Sequence, residues 1–121
     1  MKNKAFLFLV PMLILYLNIN AHALDPLRVQ INTSLPEGIK TIGAAAQHYA
    51  DVAGYKIKIS YPAPKEASQI AFQEFNTLTL VAGIKPIDEA ILGLLNDGQV
   101  LIIDHENKLI SFDKRDQIEQ N

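Results

Sequence analysis

The chain has 121 residues, a formal net charge of −2 and no cysteine. That excludes disulfide staples and thiolate metal sites, and no charge cluster suggests nucleic acid or an anionic membrane surface. Its length allows one small domain. In chain order, Lys2 and Lys4 precede an apolar run, Ala5 to Leu17, broken only by Pro11, and Ala21-His22-Ala23 follows. A positive start, a short apolar stretch and a small-x-small site predict a secretory signal peptide over 1–23, cleaved between Ala23 and Leu24. The run is shorter than the roughly 18–20 residues a membrane-crossing helix needs. Losing Lys2 and Lys4 would take the net charge from −2 to −4. The domain is then expected over 24–113, with a polar, fraying tail at 114–121.

Leu27, Val29 and Ile31 alternate with polar residues, the period of a strand with one buried face. Turn residues 33–38 follow. Ile39, Ile42, Ala46, Tyr49, Ala50 and Ala53 then fall on one helical face, and Gly54 ends that helix. Tyr55 to Tyr61 alternates again and reads as a strand, broken by Pro62 and Pro64. Residues 65–76 have no settled period and read as a loop with one helical turn. Thr77 to Ala82 is β-branched and alternating, a further strand. Pro86 is placed to open a second helix, with Asp88 and Glu89 in its first turn. Ile87, Ala90, Ile91, Leu94 and Leu95 form its apolar stripe, and Gly98 is expected as its left-handed cap. Val100 to Ile103, a polar turn at 104–108, and Leu109, Ile110 and Phe112 make a hairpin. The expected order is βαββαββ, an α+β domain of two helices packed with two small sheets.

Few residues suggest chemistry. His48 and Asp51 share a helical spacing that suits a metal, but two ligands are fewer than zinc requires. His105 lies between Asp104 and Glu106, whose side chains point away from its own on a strand. Ser34, Ser60, Ser68 and Ser111 have no nucleophile-elbow context, and Ser60 and Ser111 read as outward strand positions. The glycines form no phosphate-binding loop. Gly43 and Gly93 each fall inside an expected helix, where close packing against a neighbour would account for them. No catalytic, cofactor or metal residue is therefore assigned, and the chain is read as a non-enzyme.

Several motifs together resemble a known family. Leu35-Pro36-Glu37-Gly38 before the first helix and Gly54-Tyr55 after it are similar to the short N-terminal domain of secretins and TonB-dependent transducers. The resemblance is closer to the PilL-type N-terminal domain of type IV pilus and conjugative-element proteins. It is carried by Thr41-Ile42-Gly43-Ala44-Ala45, by Gly54-Tyr55-Lys56-Ile57, and by the closing run Ile103 to Phe112. It spans about 27–113. Two departures stand out: 65–76 lacks the family's arginine-containing stretch, and no lipobox cysteine is present, unlike DotD-type lipoproteins. The resemblance implies a periplasmic docking domain that uses no cofactor. Its partners would be envelope proteins of a pilus, conjugation or secretion complex, such as a secretin or an outer-membrane core component, with no nucleic acid and no membrane span after cleavage. The alternative is a periplasmic peptidoglycan- or small-ligand-binding domain; an exported enzyme or enzyme inhibitor is the least favoured. For the docking role, the first and last strands offer the least charged edges, placing contacts at Leu27, Val29, Ile31, Leu109, Ile110 and Phe112.

Overall fold

A computed structural model describes residues 25–77, 80 and 82–116. The signal-peptide region, with Ala21, Ala23 and Leu24, and the last residues of the tail lie outside this range. The described chain opens with a 3-10 turn, Pro26–Arg28, in which the Asp25 carboxylate accepts the Leu27 N–H at 2.9 Å. An Asp-Pro start favours such a turn over a strand. The first strand therefore begins later than expected: β1 is Gln30–Asn32. Leu27 is fully buried within the turn.

Helix α1, Ile42–Ala50, is capped by the Thr41 hydroxyl, which accepts the Ala44 N–H at 3.2 Å. Its buried face comprises Ile42, Ala45, Ala46, Tyr49 and Ala50. A 3-10 turn, Asp51–Ala53, extends it to Gly54, whose φ of 76° is the expected left-handed stop. β2 is only Lys56–Ile57, shorter than the 55–61 strand expected. A short helix, α2 (Ala67–Ala71), occupies the unsettled stretch before β3, Ile84–Pro86. The strand expected over 77–82 includes 78, 79 and 81, outside the described residues; Thr77, Leu80 and Ala82 belong to no strand. Pro86 ends β3 and stands at the N-cap of α3, Ile87–Leu92. That helix stops at Gly93, earlier than expected, and Gly98 takes its φ of 80° in the turn leading to β4. β4 (Gln99–Asp104) and β5 (Leu109–Lys114) form the hairpin. Lys114 is thus part of a strand, and it meets Glu66 at 3.5 Å.

The architecture is mixed α+β with two small sheets, of order β1-β3 and β2-β5-β4. β1 and β3 are antiparallel; β5 runs parallel to β2 and antiparallel to β4. The last strand is therefore central and β4 is at the edge, opposite to the expectation. Ile110, Ser111, Phe112 and Asp113 are all buried, so both faces of β5 are covered and Ser111 is buried rather than outward. Its hydroxyl donates to the Lys58 carbonyl at 2.7 Å.

One core joins Ile42, Tyr49, Ile87, Ile91 and Leu94 from the helical segments with Ile110 and Phe112 from β5. Ile57 packs at its margin and is only partly buried. The Tyr49 hydroxyl donates to the Thr33 carbonyl at 2.6 Å, tying α1 to the end of β1. Burial holds that hydroxyl above the ordinary tyrosine range, so it remains a donor at neutral pH.

The two helix glycines differ. A Cβ on Gly43 would lie 2.9 Å from the Ala71 Cβ, so α1 and α2 meet there without room for a methyl group. On Gly93 it would meet only carbonyls of its own turn, at 3.5 Å. Close packing thus accounts for Gly43 and not for Gly93. Gly43→Ala should cost about 1–3 kcal/mol, the usual range for overpacking. Gly93→Ala should be neutral or stabilise by up to about 1 kcal/mol. Urea unfolding of both variants checks the contrast, and equal effects would contradict it.

Candidate functional site

The titratable residues singled out in the sequence do not form a shared centre. Among the described residues, no group of three or more His, Asp or Glu side chains is placed to hold a metal ion. His48 is half-buried on α1, and Asp51 is held by the Gln47 side-chain amide at 2.7 Å. His105 does gain partners, from elements distant in sequence. Its Nδ1 is 2.7 Å from the Tyr55 hydroxyl, and its Nε2 is 3.9 Å from the Asp25 carboxylate. Burial, then the charges of Asp25 and Asp104, hold the Tyr55 hydroxyl above its ordinary range, so it stays protonated. When that hydroxyl donates to Nδ1, the ring proton sits on Nε2, facing Asp25. This ties the hairpin turn to the start of the described chain. Within the same turn, side-chain and backbone hydrogen bonds from Asn107 hold the Asp104 carboxylate below the usual range. Ser34 and Ser60 are exposed, Ser68 is half-buried on α2, and Ser111 is engaged as described.

Concavities lined mainly by apolar groups are found among the described residues. One, about 480 Å³, lies beside the 33–40 loop, Phe75 and Leu80. A second, about 240 Å³, lies between α1 and β2, with Phe72 at its side. A third, about 150 Å³, lies under Pro62 and Pro64 on the Lys58 face of the sheet.

More informative are the strand edges, because hydrogen-bond alternation says which backbone groups are unpaired. In the small sheet, Thr33 N–H bonds the Gly83 carbonyl and Ile87 N–H bonds the Val29 carbonyl, at 2.9 and 3.1 Å. The intervening Gln30 and Asn32 therefore turn their backbone groups outward, as do Ile84 and Pro86 on β3. Pro86 has no N–H, which blunts the β3 edge. In the larger sheet, Arg115 N–H bonds the Gly98 carbonyl at 2.8 Å, which sets Val100 and Ile102 toward β5 and Leu101 and Ile103 outward. Among the described residues, the outward groups of Leu101 and Ile103 have no hydrogen-bond partner. β4 is thus the longest open edge among the described residues.

β2 is treated differently. Its Lys56 and Lys58 N–H groups bond the Lys108 and Ile110 carbonyls of β5 at 3.0 and 2.8 Å. On the opposite side, the Gln47 side chain accepts the Ile57 N–H at 2.9 Å and donates to the Tyr55 carbonyl at 3.1 Å. A side-chain amide here takes the place of a neighbouring strand's peptide group. Beyond Gln47, the Ile57 carbonyl and the Ile59 N–H have no partner among the described residues.

Of the six contact residues expected from sequence, Leu27, Ile110 and Phe112 are fully buried, and Leu109 is half-buried on the central strand. None of the four forms an open edge: Leu27 lies in the opening 3-10 turn, and β5 already pairs on both sides. Val29, 51% exposed, and Ile31, half-buried, remain near an open edge, that of β1. Sequence reasoning missed the β4 edge and Gln47. No local signal marks Gln47, whereas the apolar, uncharged Val100–Ile103 run was already visible. No family model, curated protein or solved structure matches the chain.

Gln47→Leu keeps the side-chain bulk and removes both edge bonds. It should cost about 1–3 kcal/mol, the range for stranding buried backbone groups. Denaturant unfolding measures this, and a change below about 0.5 kcal/mol, typical of surface sites, would mean that water replaces Gln47 at the edge.

Proposed function

We propose that this chain is a periplasmic, non-enzymatic interaction module of a pilus, conjugation or secretion assembly, binding envelope proteins by strand pairing. The β4 edge carries this reading: an apolar, uncharged run, Val100 to Ile103, whose outward backbone groups at Leu101 and Ile103 have no partner among the described residues. Such an edge takes a partner strand through main-chain hydrogen bonds, with alternate side chains supplying specificity. The exposed Val29 and Ile84, 51% and 64% accessible, add apolar surface beside the smaller sheet. Export rests on the Ala21-His22-Ala23 pattern, and the choice of system on the PilL-type resemblance. Among the described residues, no helix is long and apolar enough to cross a membrane. A peptidoglycan- or small-ligand-binding role would call for a groove of convergent polar groups, and the mainly apolar concavities favour it less.

The test is photo-crosslinking in the native host, with the reactive group placed in turn at Gln30, Val100 and Phe72. At least one position should give an adduct with an envelope protein of such an assembly, and the chain should fractionate with the periplasm. A cytosolic chain, or no adduct from any position, overturns the proposal.

A further inference from the structure

We infer that the cleft between α1 and the outer edge of β2 is a second docking site, one that takes an extended protein segment in which apolar residues alternate with acidic ones. The inference rests on the interaction-module reading and adds a place and a partner chemistry to it.

Three observations converge on this cleft. The first concerns hydrogen bonding. Gln47 already supplies one peptide-like amide to the edge, meeting Ile57 N–H and Tyr55 C=O. The next groups along the same edge, Ile57 C=O and Ile59 N–H, have no partner among the described residues. A strand entering beyond Gln47 would continue a pairing that the side chain has begun, since its backbone presents a donor and an acceptor at the same spacing.

The second observation is shape. The roughly 240 Å³ cavity is lined by Gly43, Ala44, Ile57 and Ile59, with the Phe72 ring, 71% exposed, at its side. Small residues on α1 let a backbone come close, and the exposed ring offers an apolar anchor of the kind that dominates interfaces. The volume lies below the roughly 300–1,000 Å³ of clefts that hold drug-sized ligands, so it suits an inserted side chain better.

The third is charge. Lys56 and Lys58 alternate with Ile57 and so project from the other face of β2. Neither has an ion-pair partner among the described residues. Asp51, the acidic group at the end of α1, is held by Gln47. A paired strand would set every second side chain opposite these lysines, where acidic residues are favoured and basic ones repelled. Its other side chains would lie over Ile57 and Ile59, where apolar residues fit.

The experiment titrates the purified, isotope-labelled full chain with two capped octapeptides, one alternating valine and glutamate, the other valine and lysine. The valine–glutamate peptide should shift the Ile59 amide, the Gln47 side-chain amide and the Phe72 region, and the lysine peptide should not. Reversing both lysines (Lys56→Glu with Lys58→Glu) should weaken the first peptide roughly tenfold and admit the second. Ile59→Pro should abolish binding by removing the edge donor; Phe72→Ala, an exposed change that leaves the core intact, should weaken it. Absence of binding, equal binding of both peptides, or shifts confined to β1 or β4 overturns the inference. So does self-association of the chain through the Ile59 edge, which would make a second copy the occupant. Envelope adducts from Gln30 or Val100 with no peptide bound in the cleft would remove this site and leave the module reading standing.

Discussion

The fold depends on one short parallel pairing. Lys56 and Lys58 donate to carbonyls of β5, and Ser111 returns a bond from its side chain to the Lys58 carbonyl. This register attaches the β1-α1-β2 half of the chain to the closing hairpin. It also makes β5 the central strand, with Ile110 and Phe112 in the core on one face and Ser111 buried on the other. Two residues of ladder would be a weak attachment alone, since every residue fixed costs about 1–2 kcal/mol of backbone entropy. Gln47 reinforces it by bonding the opposite side of β2. The approach of α1 to α2 at Gly43 and Ala71, and the Tyr49 bond to Thr33, hold the helix from which Gln47 projects.

That arrangement decides which edges remain open. With β5 enclosed, the hairpin presents β4 as its free side, and among the described residues the unpaired groups along β2 lie beyond Gln47. Open apolar edges invite unwanted association, and proteins commonly blunt them with proline, charge or side-chain cover. Three such devices are present here: Pro86 on β3, Gln47 covering the first part of the β2 edge, and the β2 lysines, which repel basic segments while leaving the Ile57–Ile59 groups open to acidic ones. β4 carries none between Gln99 and Ile103. An edge left unguarded where those of β2 and β3 carry such devices fits a strand kept for a partner, and the proposed role turns on that contrast.

Much of the fold was legible from local patterns. The α1 stripe, its stop at Gly54, the α3 stripe and the hairpin follow from periodicity and turn chemistry, signals that act over a few residues. Strand order was not legible, because which strand becomes central depends on a pairing between residues 56–57 and 109–110, far apart in sequence. The same blindness hid the role of Ser111 and the partners of His105. The early Asp25-Pro26 turn was readable as a turn signal but was outweighed by the alternation of Leu27, Val29 and Ile31. Gln47 could not be singled out at all: its function is set by the strand edge it faces, and a glutamine in a helix is otherwise unremarkable. Of the candidate contact surface, the uncharged Val100–Ile103 segment was visible as a strand, and only its position at the sheet edge was missing.

Amide hydrogen exchange, read residue by residue on the folded chain, tests the central claim most directly. Alternation along the two sheet edges predicts slow exchange at Lys56, Ile57, Lys58, Val100 and Ile102, and fast exchange at Ile59, Leu101 and Ile103. Leu101 and Ile103 exchanging as slowly as Val100 and Ile102 would show that the β4 edge is already paired or covered, and would contradict the account.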